Sequence, residues 1–330
     1  MKHLSQLILL VTACLLATGG IHAAQPAADS YPARPVRMII PFAPGGASDF
    51  AGRILQPKLS EVLGQQVVAD NRTGASGNVG VEIAARANPD GYTLFLGNVG
   101  TMAINPSIFP KFPIRPLRDL IGVTLVVDIP GALAVHASVP AATVKEFIDY
   151  AKARPGQLNY GSSGGGSAQR LAFEFFMHKA GINLVHIPYK GGAGPATLAV
   201  LGGEVAATML TVASFIPHLK GGKVKVLAVI SPKRVSQLPD TPTMAESGFP
   251  ELLLGSWQGV SVQAGTPRAI VNRLYSAVIK TMSDPETVKR LATGGAEVVT
   301  SKSPEEFTVF LRTQNEFWAK LVKQTGATAE

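Results

Sequence analysis

Three short segments of the sequence have the residue types that bind anions through the protein backbone. They read "PFAPGGAS" (41–48), "YGSSGGGSAQ" (160–169) and "PYKGGAGPAT" (188–197), and each lies between a strand-like run and a helical run. A helix N-terminus exposes unpaired N–H groups and a partial positive charge, and glycines let a ligand approach that backbone closely. The three loops therefore predict a cleft that binds an anionic group.

Other chemistries fit these loops poorly. None of them reads GxxxxGK followed by Ser or Thr, and the nearest approach to GxGxxG is "GAGPAT", which ends in threonine. A hydrolase triad would also need a partner histidine and a carboxylate beside a serine, and the sequence does not place them. His136, His178, His186 and His218 have no HExxH or CxxC companion, so we interpret them as surface or hydrogen-bonded histidines rather than metal ligands. The sequence thus predicts neither a cofactor nor a metal site.

Three further side chains each allow two interpretations. Asp49 is either a first-turn aspartate favoured by the helix dipole, or a residue that orients its loop or contacts a donor group of the ligand. Lys190 either contacts a carboxylate or is solvated. Trp257 either lines the cleft or packs at a hinge. The sequence leaves all three choices open.

The elements that must position these loops alternate along the chain. From "VRMIIPF" to "YTLFLGNVG", strand-like and helix-like runs follow one another as in a βαβ unit with a mostly parallel sheet. The first helical run has apolar residues at helical spacing, with Ser48 as a candidate cap, Pro57 as an expected kink or break and Gly64 as a stop. A second α/β series starts near residue 121, and the last third is mostly helical.

The order of these runs predicts two domains. The stretch "LLLGSWQGVSVQAGTP" follows the second series and has the pattern of a strand that returns to the first sheet. We therefore predict domain 1 over 31–127 and 257–330 and domain 2 over 128–256. Two crossings between the domains suggest a hinge.

The N-terminus predicts export. Lys2 and His3 precede an apolar stretch and then small residues, the pattern of a secretory signal over 1–24 that is cleaved near Ala23 or Ala24. The single cysteine, Cys14, lies in "VTAC", which resembles a lipoprotein signal, but the apolar run continues beyond it. We expect an exported periplasmic protein, with lipid anchoring at Cys14 as the alternative.

Composition limits the choice of partners. The 330 residues carry a formal charge of +8, but the basic residues are scattered and no basic run with interleaved aromatics occurs. Nucleic acid is therefore not an expected partner.

Several ordered motifs resemble one family. "VRMIIPFAPGGASDFAGRILQPKLSEVLGQQVVADNRTGASGNVG", "PGQLNYGSSGGGS", "VHIPYKGG", "LPDTPTMAESGFP" and "VQAGTP" are similar to the Bug family of periplasmic solute-binding receptors. These are the extracytoplasmic components of tripartite tricarboxylate transporters. The resemblance implies a two-lobed Venus-flytrap fold of the type II periplasmic binding protein kind, without enzyme activity. It also implies a small carboxylate ligand, large and small membrane subunits as partners, and a monomeric receptor.

The resemblance also implies the site residues. In that family, backbone amides, hydroxyls and ordered water hold the carboxylate between the lobes. Carried onto this chain, the contacts come from Phe42, Ala43, Gly45, Gly46, Ser48, Asp49, Asn98 and Thr101 in the first domain, and from Ser162, Ser163, Gly166, Ser167, Tyr189 and Gly191 in the second.

One segment departs from the family pattern. Where many members read "VDLMFDN", this chain reads "VAATMLT", with Ala206 and Leu210 in place of aspartates and Thr211 in place of the asparagine. If Leu210 faces the cleft, the pocket is less polar there, and a ligand with an amine is less favoured. The ligand is then a carboxylate whose body can be apolar or aromatic.

Two other functions stay open at this point. One is an exported enzyme that acts on a carboxylate in the same cleft. The other is a ligand-sensing receptor that works with a signalling protein instead of a transporter.

Overall fold

The strands of the chain form two separate sheets. The computed structural model describes residues 30–164, 167–189, 191–252 and 255–325. Its strands are β1 (Val36–Ile40), β2 (Val67–Asn71), β3 (Thr93–Asn98), β4 (Leu120–Ile129), β5 (Gly131–His136), β6 (Asn159–Ser162), β7 (Val185–Pro188), β8 (Ala207–Thr211), β9 (Val224–Ile230), β10 (Ser256–Gln263) and β11 (Glu297–Val298).

Helices lie between these strands and complete the alternation that the sequence predicts. They are α1 (Ala47–Leu63), α2 (Asn78–Ala85), α3 (Asn105–Ile108), α4 (Pro116–Asp119), α5 (Val144–Lys152), α6 (Ala168–Ala180), α7 (Ala193–Gly202), α8 (Val212–Phe215), α9 (Arg268–Met282), α10 (Pro285–Thr293) and α11 (Pro304–Thr325). Ala75–Gly77 and Ile216–Gly221 form 3₁₀ turns, and Gly100–Ile104 forms a π-turn. No helix in the described ranges is both long enough and apolar enough to span a bilayer.

Both sheets are mixed. The first has the order β11-β4-β10-β3-β1-β2 and the second has the order β7-β6-β8-β5-β9. The pairs β1/β2, β1/β3, β6/β7 and β6/β8 are parallel, as the βαβ pattern predicts. The strands next to the crossings, β4, β5, β9 and β10, pair antiparallel with their neighbours. The mostly parallel arrangement expected for the first hundred residues holds for β1, β2 and β3, whereas β5 and β10 enter their sheets directly from the other sheet rather than through a helical crossover.

The chain passes between the sheets twice. It leaves the first sheet after Ile129, where β4 ends, and β5 begins the second sheet at Gly131. It returns between Ile230 and Ser256, where β10 inserts between β4 and β3. This architecture confirms the predicted α/β class with two crossings. The exact domain boundaries stay a prediction.

Helix α1 shows where local sequence signals and packing disagree. Its N-cap is Gly46, which has no side chain to cap with, so the prediction of Ser48 as the cap is wrong. Pro57 lies inside the helix and does not break it, although an interior proline costs about 3 kcal/mol. Leu55 and Leu59, on either side of Pro57, are fully buried. Both halves of the helix thus bury apolar side chains, and the helix ends at Gly64 as predicted, with φ of 70°.

Candidate ligand-binding site

A pocket lies between the two sheets, where the glycine-rich loops meet. Segments that belong to the first sheet supply one wall, and segments of the second sheet supply the other. The lining residues are Phe42, Gly46, Ala47, Ser48, Ser76, Asn98, Val99, Gly100, Ser163, Ser167, Ala168, Gln169, Ala193, Thr211 and Ser256. The three loops singled out in the sequence therefore contribute to a single pocket.

The loop after β1 is held in shape by Asp49. One carboxylate oxygen of Asp49 accepts a hydrogen bond from the Gly45 N–H at 3.2 Å. The other accepts from Asn71 Nδ2 at 3.0 Å and from Arg53 Nε at 3.2 Å. Asn71 Nδ2 also donates to the Phe42 carbonyl at 2.8 Å. Asp49 is buried and does not line the pocket, so its carboxylate organises the loop.

The loop after β6 is tied in a similar way by Ser162. Its Oγ lies 2.7 Å from His186 Nε2 and accepts a hydrogen bond from the Gly164 N–H at 3.2 Å. Ser163, the next residue, lines the pocket. Ser167 also lines it and caps α6, because its Oγ accepts from the Arg170 N–H at 3.2 Å.

The loop after β7 contacts the first loop directly. The Ala43 N–H donates to the Gly191 carbonyl at 3.0 Å. Gly192 has φ of 96°, in the left-handed region that favours glycine, and a β-carbon there would crowd the ring of Phe42 at 3.0 Å. At Gly194, a β-carbon would overlap the Pro44 carbonyl oxygen. The two backbones approach so closely that only glycine fits between them.

Ser76 is a pocket residue that the sequence interpretation missed. Ala75 and Ser76 have φ of 46° and 55°, a left-handed conformation that costs most residues about 1 kcal/mol or more. The Ser76 carbonyl accepts a hydrogen bond from Asn105 Nδ2 at 3.0 Å, which helps to hold this turn. Ser76 also faces the second sheet, since a β-carbon at Gly164 would lie 2.9 Å from its Oγ. The only local sequence signal for this turn was the pair of glycines, Gly74 and Gly77, that flank Ala75 and Ser76.

The predicted site residues fall into three groups. Those that line the pocket are Phe42, Gly46, Ser48, Asn98, Ser163 and Ser167. Those in the surrounding loops that do not line it are Ala43, Gly45, Asp49, Thr101, Ser162, Tyr189 and Gly191. Gly166 and Lys190 lie outside the described residues.

Two residues of the second group have partners that account for their positions. Thr101 is bound to Asn98, since the Thr101 N–H donates to Asn98 Oδ1 and the Asn98 N–H donates to Thr101 Oγ1, both at 3.0 Å. The Tyr189 hydroxyl donates to Glu204 at 3.3 Å. Thr101 thus orients Asn98, and Tyr189 braces the end of its loop.

The segment that departs from the family pattern faces the pocket through Thr211. Leu210 is completely buried in the core with Ala132, Ala134 and Val229 and does not line the pocket. Thr211 does line it, and its Oγ1 lies 3.0 Å from Ser214 Oγ. Leu210 therefore does not face the cleft, and the less polar pocket wall that it would have formed is not present at this position.

The pocket combines polar and apolar lining residues, and none of those that the structure describes carries a charge. The N-termini of α1, α6 and α7 reach it through Gly46, Ser167 and Ala193. Helix N-termini attract anions through free N–H groups and the helix dipole. Across the described ranges, no cluster of three or more His, Cys, Asp or Glu side chains is arranged to hold a metal ion. The arrangement suits reversible binding of an anionic group.

Trp257 lies at the crossing and away from the pocket. Its Nε1 donates to Gln314 at 3.0 Å, and its ring packs against Phe307 and Phe310 of α11. Asp128, its cross-strand neighbour, pairs with Trp257 on one side and with Glu297 on the other. Burial raises the pKa of the Asp128 carboxyl, and the negative charge of Glu297 raises it further, against one backbone hydrogen bond that lowers it.

Together, the two sheets, the double crossing and the pocket between the sheets define a two-lobed protein of the periplasmic binding protein fold. The family model described as the tripartite tricarboxylate transporter family receptor, TctC, matches residues 51–327. The chain belongs to this family of solute-binding receptors.

Known proteins agree with this assignment. The chain is 36% identical to Protein BugT of Bordetella pertussis over 321 residues, which cover 97% of this chain and 98% of BugT. A structure of an R. palustris protein with adipate has a TM-score of 0.87 at 33% identity and covers 91% of this chain and 100% of that one. MatC from Rhodopseudomonas palustris with bound malate has a TM-score of 0.83 at 30% identity, covering 88% and 100%.

Proposed function

We propose that this receptor captures a small carboxylate between its two lobes for a tripartite tricarboxylate transporter. The observation that carries the proposal is the pocket at which the N-termini of α1, α6 and α7 meet, because the described residues that line it carry no charge. A carboxylate bound there shares its charge among N–H groups and hydroxyls that come from both lobes. Capture then favours the closed arrangement, because only that arrangement presents both sets of donors at once.

The proposed contacts are the lining residues at the helix starts and strand ends. Gly46 acts from the first loop, Ser163 and Ser167 from the second, and Asn98 from the end of β3, while Ser48 lines the wall beside them. Asp49 and Ser162 shape the loops. The adipate and malate in the two relatives support a carboxylate ligand.

The wider context of the receptor is also proposed. Residues 1–24 direct export to the periplasm, where the receptor acts as a monomer and presents its ligand to large and small membrane subunits. Residues 31–127 with 257–330 form one lobe, and 128–256 form the other. The passages after Ile129 and before Ser256 act as the hinge.

Binding by purified mature protein tests the proposal. We expect adipate, malate, succinate or benzoate to raise the melting temperature and to bind in calorimetry, whereas the corresponding diamides or amide do not. A ligand present at 100 times its Kd stabilises the folded state by about 2.7 kcal/mol. If no carboxylate in a broad panel binds, the proposal is wrong.

The two alternative functions predict different results. An enzyme would convert a bound carboxylate or its ester, and nuclear magnetic resonance of the incubated ligand would detect a product. A sensing receptor would bind the ligand, but deletion of the chain would leave carboxylate uptake unchanged. We expect intact ligand and lost uptake.

A further inference from the structure

Gln258 joins two serines of the pocket from a fully buried position on β10. Its side chain has no exposed surface. Gln258 Oε1 lies 2.8 Å from Ser48 Oγ, and Gln258 Nε2 lies 3.2 Å from Ser256 Oγ and 3.3 Å from the Ser256 carbonyl oxygen. Ser48 and Ser256 both line the pocket, whereas Gln258 does not. Gln258 therefore acts on a ligand only through these two serines.

The hydrogen bonds fix the direction of donation. The Ser256 carbonyl can only accept, so the NH₂ group of Gln258 must face Ser256. The amide oxygen of Gln258 then faces Ser48, and Ser48 must donate its only hydroxyl proton to it. Any further hydrogen bond to Ser48 Oγ must consequently come from a donor.

Ser48 is thus an acceptor in a pocket of donors. The helix starts at Gly46, Ser167 and Ala193 present N–H groups, which suit the oxygens of a carboxylate. A carboxylate oxygen next to Ser48 Oγ would place lone pair against lone pair, whereas a ligand hydroxyl would donate a hydrogen bond.

A ligand ammonium group could also donate to Ser48, but the pocket does not compensate its charge. The lining residues that the structure describes include no carboxylate. Asp49, the nearest acidic residue along the chain, is bound to Gly45, Asn71 and Arg53. A neutral hydroxyl is therefore the donor that the pocket favours.

We propose that Gln258 is a positioning residue that makes Ser48 an acceptor, and that the pocket selects carboxylates carrying a hydroxyl group over the same acids without it. This inference rests on the carboxylate-receptor function proposed above. It adds the substrate class, hydroxy acids, and the residue pair that selects it.

Matched pairs of acids test the selection. Calorimetry on the wild-type protein should compare malate with succinate, citrate with tricarballylate, and 3-hydroxybutyrate with butyrate. We expect the hydroxylated member of the best-binding pair to bind about tenfold more tightly, the value of one well-made hydrogen bond. Aspartate should bind no better than succinate. Equal affinity for hydroxylated and plain acids overturns this inference and leaves the carboxylate receptor intact, whereas binding of no acid overturns both.

Two variants test the role of Gln258. Gln258→Met keeps the volume but frees the Ser48 hydroxyl to donate or accept, so the ratio of hydroxy-acid to plain-acid affinity should fall towards one. Ser48→Ala removes the acceptor and should lower the same ratio. Gln314→Met is the matched control, because Gln314 binds Trp257 and Trp318 away from the pocket, and its ratio should equal that of wild type.

The affinity ratio separates selection from damage to the fold. A purely structural loss would weaken both acids of a pair equally. If Gln258→Met does not fold, Ser48→Ala alone decides the outcome. An unchanged ratio in whichever of the two variants folds would overturn the assignment.

Discussion

The loops after β1 and after β6 have the same sequence pattern but are secured differently. In the first, the carboxylate of Asp49 holds the backbone through Gly45, Asn71 and Arg53. In the second, the Ser162 hydroxyl holds Gly164 and contacts His186. In both loops, the adjacent residue, Ser48 or Ser163, lines the pocket instead. A polar residue in a ligand-binding loop can thus serve the loop rather than the ligand.

The first loop also contacts the segment after β7, and Gly194→Ala tests most strongly whether this contact supports ligand binding. A β-carbon at 194 would overlap the Pro44 carbonyl oxygen of the first loop. Overpacking of this kind costs about 1–3 kcal/mol, which corresponds to about 5- to 150-fold in Kd. We expect Gly194→Ala to weaken carboxylate binding, measured by calorimetry, by a factor within that range.

Gly202→Ala is the control for that substitution. Gly202 lies at the other end of α7, and nothing lies within 4 Å of a β-carbon there. Both variants should keep the fold, since alanine favours helices. If Gly194→Ala binds the carboxylate as tightly as the wild-type protein, then ligand binding does not require close approach of the first loop and the segment after β7.

Asp49→Ala tests whether the first loop depends on its carboxylate. The Gly45 N–H and Asn71 would lose their acceptor, at a cost of about 1–3 kcal/mol. The Arg53 side chain is half exposed, so its ion pair with Asp49 adds little to this. Urea unfolding should show the loss of stability together with weaker ligand binding. Lost binding at full stability would instead make Asp49 a direct ligand contact.

Ser162→Ala and Ser163→Ala separate the two roles within the second loop. Ser162→Ala should lower the free energy of unfolding by about 1 kcal/mol, because the Gly164 N–H loses its acceptor. Ser163→Ala should leave stability unchanged and weaken ligand binding about fivefold. Paired unfolding and calorimetry measurements check both, and the reverse result would exchange the roles of the two serines.

Asp128 provides a contrast to Asp49, since one of its buried oxygens has no hydrogen-bond partner within the described part of the chain. Its pKa is raised above 3.8, mainly by burial. The protonated Asp128 carboxyl therefore favours the folded state. This contribution to the free energy of unfolding is fully present below pH 3.8 and is lost as the pH rises through the raised pKa.

Asp128→Asn should reproduce the protonated state at every pH. We expect a small rise in melting temperature at pH 7, the smallest effect of the series, which disappears as the pH approaches 3.8. Melting curves of both proteins across this range would show it. A variant that is less stable at pH 7 would indicate that the carboxylate has a favourable partner at the crossing.

Much of the fold was accessible from sequence because its signals are local. Apolar periodicity predicted the alternation of strands and helices, and Gly64 marked the end of α1. The helix does not break at Pro57, and Leu55 and Leu59 on either side of it are buried. The antiparallel strands at the crossings were also missed, since strand partners are chosen by tertiary contacts.

The candidate site, like the fold, could be predicted from the sequence only where its signals are local. Glycine-rich loops that precede helices can be recognised in the sequence, and they already indicate that backbone N–H groups are available for an anion. Which neighbouring side chain faces the pocket depends on long-range packing. Ser48 and Asp49 differ by one helical position, yet Ser48 meets Gln258, 210 residues away, while Asp49 turns back to Gly45. Such pairings depend on how the crossing strand β10 is placed, and no local pattern records that placement.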